Sequence, residues 1–417
     1  MSISPTQPKI LKAGILPMVC LAAGLVFAAP AQAEWANLRG PNMDGAIEGV
    51  GMTAPWPDSG LERVWAKRLG TGFASTTVVG DHLYTAGFSD DEDHVYCLNV
   101  KTGEQVWQFS YPETIFDRSH EGGPASTPAS DGEHVYILSR TGKFICIDAQ
   151  TGEEQWRHHV VDDWGSEVPR WGYSGSPLIV DDKVLVDAGL TVAMDKKTGE
   201  VIWKSKNYGS AYNTPMVETI HGQKVVITFN GTGLTLLDYA DGAELAVYPW
   251  PTNYSVNSCT PILHDNHIFF SSSYGQGGAM VKVNDDFSLD AVWETKEFNN
   301  HFNASVLHDG YLYGYHGHYG RAENALRCVD FETGEVMWEE PSISRGSVLL
   351  IDGHVVALSG NGELVLIEPN PEEFTAVSRF QALGGKCWTE SAVADGMIFV
   401  RNNEAGNLFA YRLTGQG

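Results

Sequence analysis

The 417-residue chain carries 27 Lys and Arg against 52 Asp and Glu, a formal charge of −25 at neutral pH. A surface of that sign repels phosphate backbones and anionic lipid, which argues against nucleic-acid and membrane-surface binding. Beyond residue 33 no stretch is long and apolar enough to span a bilayer.

The chain opens with Lys9 and Lys12, an apolar run from Ala13 to Ala29, and then Ala31-Gln32-Ala33. That pattern predicts a secretory signal peptide over 1–33, cleaved after Ala33, and a periplasmic or extracellular protein. Pro17 interrupts the run and no stop-transfer charge follows, which disfavours a membrane anchor. The residues before Cys20 are not the small ones that lipid attachment needs. Residues 34–60, rich in Gly and Pro, read as an extension of turns and loop.

From residue 61 onward the chain repeats itself. Phe144-Ile-Cys-Ile-Asp-Ala-Gln-Thr-Gly-Glu-Glu-Gln-Trp156 is an apolar strand, an Asp, a Thr-Gly turn and a strand carrying Trp. Close copies end at Trp107, Trp203 and Trp338, and worn ones at Tyr248, Trp293 and Phe380. A spacing of about 42 to 49 residues built from short strands marks propeller blades. Trp65 belongs to a Trp strand without the rest of its blade, and 388–413 supplies strands without a Trp strand. The two ends therefore share one blade and close the ring. Blade-opening phrases at Ser75, Ser126, Ser176, Thr214, Thr260, Ser305, Ser347 and Ser391 give a count that agrees with the Trp-type positions. The prediction is an all-β, eight-bladed propeller of four-stranded antiparallel blades over 61–417, acting as a monomer.

Strand direction locates the binding face. The Asp-Gly and Thr-Gly turns are short and uniform and share one face. The remaining turns and the blade-linking loops are long, polar and aromatic, and they share the other. Candidates there are Asp117, Arg118, Glu121, Arg170, Trp171, Tyr173, Asn213, Asn257, His301, Asn303, Arg345, Lys386, Trp388 and Glu390. They fall just before inner strands, where aromatic platforms with Arg, Lys, amides and carboxylates suit a sugar, a carboxylated molecule or an extended peptide. The same residues would also serve to tie adjacent blades together. His316-Gly-His318 with His301 has ligand types that suit zinc or copper, but reads equally as a Tyr/His-rich turn. No metal site is assigned.

Five cysteines follow the predicted signal: Cys97, Cys146, Cys259, Cys328 and Cys387. Three occupy one repeat position in different blades, too far apart to bridge. They read as small buried residues. No C-x-x-C-H haem site occurs.

The Asp, Thr-Gly and Trp repeat (Asp148/Thr151/Gly152/Trp156, Asp195/Thr198/Gly199/Trp203, Asp330/Thr333/Gly334/Trp338) resembles the PQQ-type β-propeller repeat. That repeat is shared by quinoprotein alcohol dehydrogenases and by outer-membrane assembly propellers. Trp35…Arg39-Gly-Pro-Asn42, Glu121-Gly-Gly-Pro, Arg170-Trp-Gly-Tyr, Asn300-His-Phe302 and Gly385-Lys-Cys-Trp388 are similar to exported "PQQ-binding-like" propellers. The resemblance implies a Trp girdle between blades at Trp65, Trp107, Trp156, Trp203, Trp293 and Trp338. It does not imply a quinone, because the dehydrogenases' vicinal cysteine pair is absent and their metal-binding acid/amide set has no match. The sequence therefore favours an exported module that binds a protein, peptide or glycan without catalysis. The alternative is a PQQ-dependent oxidoreductase holding PQQ with calcium or a lanthanide on the axis.

Overall fold

In the computed structural model, residues 35–318, 324–343 and 345–415 are described, together with 1, 2 and 4. The signal-peptide expectation for 1–33 lies almost wholly outside them. Residues 32–417 form one compact unit, and none of the described helices is long and apolar enough to cross a membrane.

Eight antiparallel sheets of four strands form the blades of a ring, as the repeats predict. Blade I spans 77–112, II 129–159, III 178–204, IV 216–249, V 262–295, VI 306–340 and VII 346–381. Blade VIII joins Ala392–Ala394, Met397–Arg401 and Asn407–Arg412 to Arg63–Arg68, so the two ends of the chain close the ring. Middle strands are apolar without alternation: Phe144, Ile145, Cys146 and Ile147 are all fully buried. Each blade is packed between two others, so both faces of its middle strands need apolar residues.

The repeat turn is held by its own side chains. Asp148 Oδ1 accepts hydrogen bonds from the Gln150 and Thr151 amides and the Thr151 hydroxyl, and Asp195 and Asp330 hold their turns similarly. A register shift directly precedes the girdle Trp in six blades, which re-aims the large ring toward its neighbour. In blades IV and VII it falls before Ala246 and Ser378, two residues ahead of Tyr248 and Phe380. Trp107 Nε1 donates to Ala149 O at 2.9 Å, and Trp65, Trp203 and Trp293 make the equivalent bond into the next blade. The ring lies on the glycine of the neighbour's turn, where a Cβ on Gly152 would come 2.8 Å from Trp107. Gly152 also has φ +74°, which glycine takes at no steric cost. At the ring closure, Gly60 stands against Phe380 in the same way.

The five cysteines are buried and free. Cys97, Cys146 and Cys328 each lie between a Tyr and the girdle Trp of their own blade. Burial pushes these three thiols up to about 12, so they act as packing residues.

Two segments differ from the expected loops. Val160–Trp164 forms a single helical turn ended by Gly165 in the left-handed conformation. The 34–60 extension is tied down residue by residue. Trp35 bridges Val78 of blade I, and the Ser130 amide of blade II donates to Ala36 O. Met43 packs with Leu178 and Met216 of blades III and IV. Ala46–Ile47 then adds a parallel strand to Leu350–Ile351 of blade VII, and the Asp352 carboxylate takes the Val50 and Met52 amides. The extension thus crosses the axis at the inner strands, using backbone pairing that has no side-chain pattern in the sequence.

Candidate functional site

The inner strands begin in a collar of hydroxyls. Thr127 Oγ1 accepts from the Ser75 amide, Ser176 Oγ from the Thr127 amide and Thr214 Oγ1 from the Ser176 amide, at 2.8–2.9 Å. Each bond joins one blade to the next, which is why Ser or Thr opens each blade. Inside the collar lies a cavity of about 330 Å³, at the lower end of the range for small-molecule sites.

Leu38 and Glu390 line its base. Behind Glu390 sits Arg39, 2 % exposed, delivered by the extension that crosses the axis. Arg39 Nη1 reaches Glu390 Oε1 at 3.2 Å and also bonds Ala304 O. Its Nη2 bonds Asp44 O and Ser305 O, and its Nε bonds Met43 O. All five guanidinium hydrogens are thereby engaged. Burial pushes the Glu390 carboxyl up, against the pull of Arg39.

The walls are aromatic and form a connected arc. Tyr212 touches Trp171, which touches Tyr254, with ring centroids 5.9 Å apart in each pair. Tyr254 leads to Tyr274 and Tyr274 to His301 and His318. His301 packs on Phe302, Phe302 on Trp388 at 5.0 Å, and Trp388 on Phe73, which meets His120. The rings come from seven blade-linking loops and two turns within blades, all on the variable face. Tyr254 is 57 % exposed and has φ 64°, an unusual conformation for a bulky residue. Burial, with His318 and Arg345 close by, pushes His301 down to about 3, so its ring is neutral.

Among the described residues, four polar atoms in this lining are shielded from water and have no hydrogen-bond partner: Glu390 Oε2, His301 Nδ1, Trp171 Nε1 and Tyr212 Oη. Two cations flank the mouth. Arg170 lies over the rings of Trp171 and Tyr254, and Lys386 sits 4.4 Å above Trp388 while paired with Glu121 at 2.6 Å.

The model of the family described as outer membrane protein assembly factor BamB matches residues 91–340. The chain belongs to this family. Outer membrane protein assembly factor BamB of Burkholderia pseudomallei is 24% identical over 355 residues, covering 83% of this chain and 74% of that one. A polyvinylalcohol dehydrogenase from a Pseudomonas species is 26% identical over 212 residues, 40% of this chain and 32% of that protein. The chain spans about a third of the length of the polyvinylalcohol dehydrogenases it matches. Among solved structures, BamB of Moraxella catarrhalis superposes with a TM-score of 0.61 at 17% identity, over 86% of this chain and 99% of that one. At that identity the likeness concerns the propeller fold.

In this BamB-like propeller the residues singled out from the sequence divide into four groups. Trp171, His301, Asn303, Trp388 and Glu390 line the cavity. Glu121, Arg170, Arg345 and Lys386 stand around it, with Arg345 in a smaller recess beside His301 and His316. Tyr173, Asn213 and Asn257 are buried in the blade wall: Tyr173 bonds Ser166, Asn213 bonds Cys259 O, and Asn257 bonds Asn230 O and Trp250 O. Asp117 and Arg118 are exposed, with Arg118 over Phe116. Phe73, His120, Tyr274 and Arg39 escaped the sequence reading. Phe73 precedes its opening phrase by two residues, much as Trp388 precedes Ser391, and that parallel was the available signal.

His316 and His318 face different recesses, and His316 Nδ1 accepts from the Asn299 amide. Among the described residues, one group of three metal-capable side chains lies close together: Asp131, Glu133 and His134, in the Asp-Gly turn on the opposite face. Asp131 is occupied there by Lys196 and by the amides of Glu133 and His134. The cavity residues therefore do not fit PQQ with a calcium or lanthanide ion. A tricarboxylate would meet Glu390 at the base, and Arg39 has no hydrogen left to offer it.

Proposed function

We propose that this chain is an exported binding propeller that holds part of a protein, peptide or glycan partner at the channel mouth and does not transform it. The observation that carries this reading is the aromatic arc around a cavity whose one internal ion pair is already closed. Aromatic faces supply contact area at low entropic cost. Among the described cavity residues no nucleophile is paired with a base, and Glu390 is engaged by Arg39. Membership of the BamB-like family supports a binding role, and relatives named as dehydrogenases keep a PQQ-dependent oxidoreductase as the competing reading.

A photo-crosslinking residue in place of Tyr254, in cells exporting the protein, tests the binding role. Discrete adducts that disappear in Trp171→Ala are expected. An uncrosslinked rim, together with a saturable absorbance change on adding PQQ and calcium to purified protein, overturns the reading in favour of the oxidoreductase.

A further inference from the structure

Resting on that reading of the mouth as a binding site, we propose that its cavity takes an uncharged sugar unit, either free or at the end of a glycan. The chemistry of the base and walls restricts the ligand from three sides.

Among the described residues that line the cavity, no Lys or Arg meets an anionic ligand. The five hydrogens of Arg39 all go to protein oxygens, and the group lining the base is the Glu390 carboxyl. A cationic ligand finds that carboxyl already neutralised by Arg39 at 3.2 Å and must pass Arg170 and Lys386 at the mouth. The cavity residues thus carry one closed ion pair and neutral imidazole at His301, which leaves an uncharged occupant.

That occupant has to be apolar on its faces and polar at its edges. Trp171, Phe302 and Trp388 offer rings to stack on. Between them the wall carries both an acceptor without a partner, Glu390 Oε2, and a donor without one, Trp171 Nε1. A hydroxyl both donates and accepts, so one kind of group satisfies either. A buried polar atom left alone is costly, and an occupant that reaches it recovers that cost. A pyranose combines C–H faces with hydroxyl edges and is uncharged. A purely apolar ligand would leave those atoms unmatched.

The test is tryptophan-fluorescence and calorimetric titration of the purified protein with glucose, galactose, mannose, cellobiose and maltotriose, against glucuronate and glucosamine as charged counterparts. Saturable binding of at least one neutral sugar is expected, weakened tenfold or more in Trp171→Ala and Trp388→Ala while both variants keep a cooperative melting transition. A monosaccharide that binds as tightly as its oligomer indicates a free sugar, and tighter binding of the oligomer indicates a glycan end. Preference for glucuronate or glucosamine overturns the proposal, as does neutral-sugar binding that both Trp variants retain. Failure of every saccharide alongside persistent crosslinks at Tyr254 also overturns it, and leaves the binding reading of the mouth standing for a peptide or protein.

Discussion

The girdle and the mouth use the same residue for opposite ends. In the girdle, Trp107 is closed on every side: its face lies on Gly152 and its N–H is taken by Ala149 O. In the mouth, the Trp171 ring meets the Tyr212, Tyr254 and Arg170 side chains. Trp156 shows which difference matters. Its indole N–H also lacks a partner, yet its ring is covered by Gly199. Coverage of the face by a neighbouring backbone, more than satisfaction of the edge, separates cohesion from recognition.

The comparison breaks most visibly if both regions respond alike to truncation. Trp107→Ala removes a buried ring and its bond, and should cost roughly 3–5 kcal/mol. Denaturant unfolding of the whole ring measures it. A similar loss, again roughly 3–5 kcal/mol, is expected for Arg39→Ala, because Glu390 is left buried without its partner. Arg39→Ala should also unseat the 35–52 crossing, seen as faster proteolysis near the N-terminus. Gly152→Ala is a gentler probe: its strained φ and the ring 2.8 Å away should lower stability by about 1–3 kcal/mol.

The mouth has a pH signature of its own. His301 stays neutral down to about 3 in the fold, whereas in the unfolded chain imidazole gains its proton below about 6.5. The unfolded state then binds more protons, so stability is full above that pH and declines as the pH falls toward 3. The decline reaches at most about 1.4 kcal/mol per pH unit from this group. His301→Gln should flatten the acid limb of the melting profile, and an unchanged slope would show that His301 is solvated. Smallest of all, Trp171→Ala should change stability by no more than about 1 kcal/mol, in contrast to Trp107→Ala.

The sequence carried the fold because each blade states its pattern in full: apolar strand, Asp, Thr-Gly, Trp. Even the shared closing blade was legible, since Trp65 lacked companions and 388–413 lacked a Trp strand. The mouth was legible by position only. Loops leading to inner strands had to converge, but whether Asn213 faced the cavity or the Cys259 carbonyl depended on rotamers that no spacing encodes. Arg39 was the least visible. It lies in a Gly-Pro loop far from its partners in sequence, 351 residues from Glu390.

The shared blade also sets an order of events during synthesis. Arg63–Arg68 leaves the ribosome before the strands of seven blades, and Asn407–Arg412, the strand it pairs with, follows all seven. Until that pairing forms, the incomplete ring has an unpaired strand at each end, and unpaired edges invite association with other chains. The loop to be closed holds seven blades, so this clasp is a slow step to reach. A strand whose partner follows seven blades later must be sheltered longest.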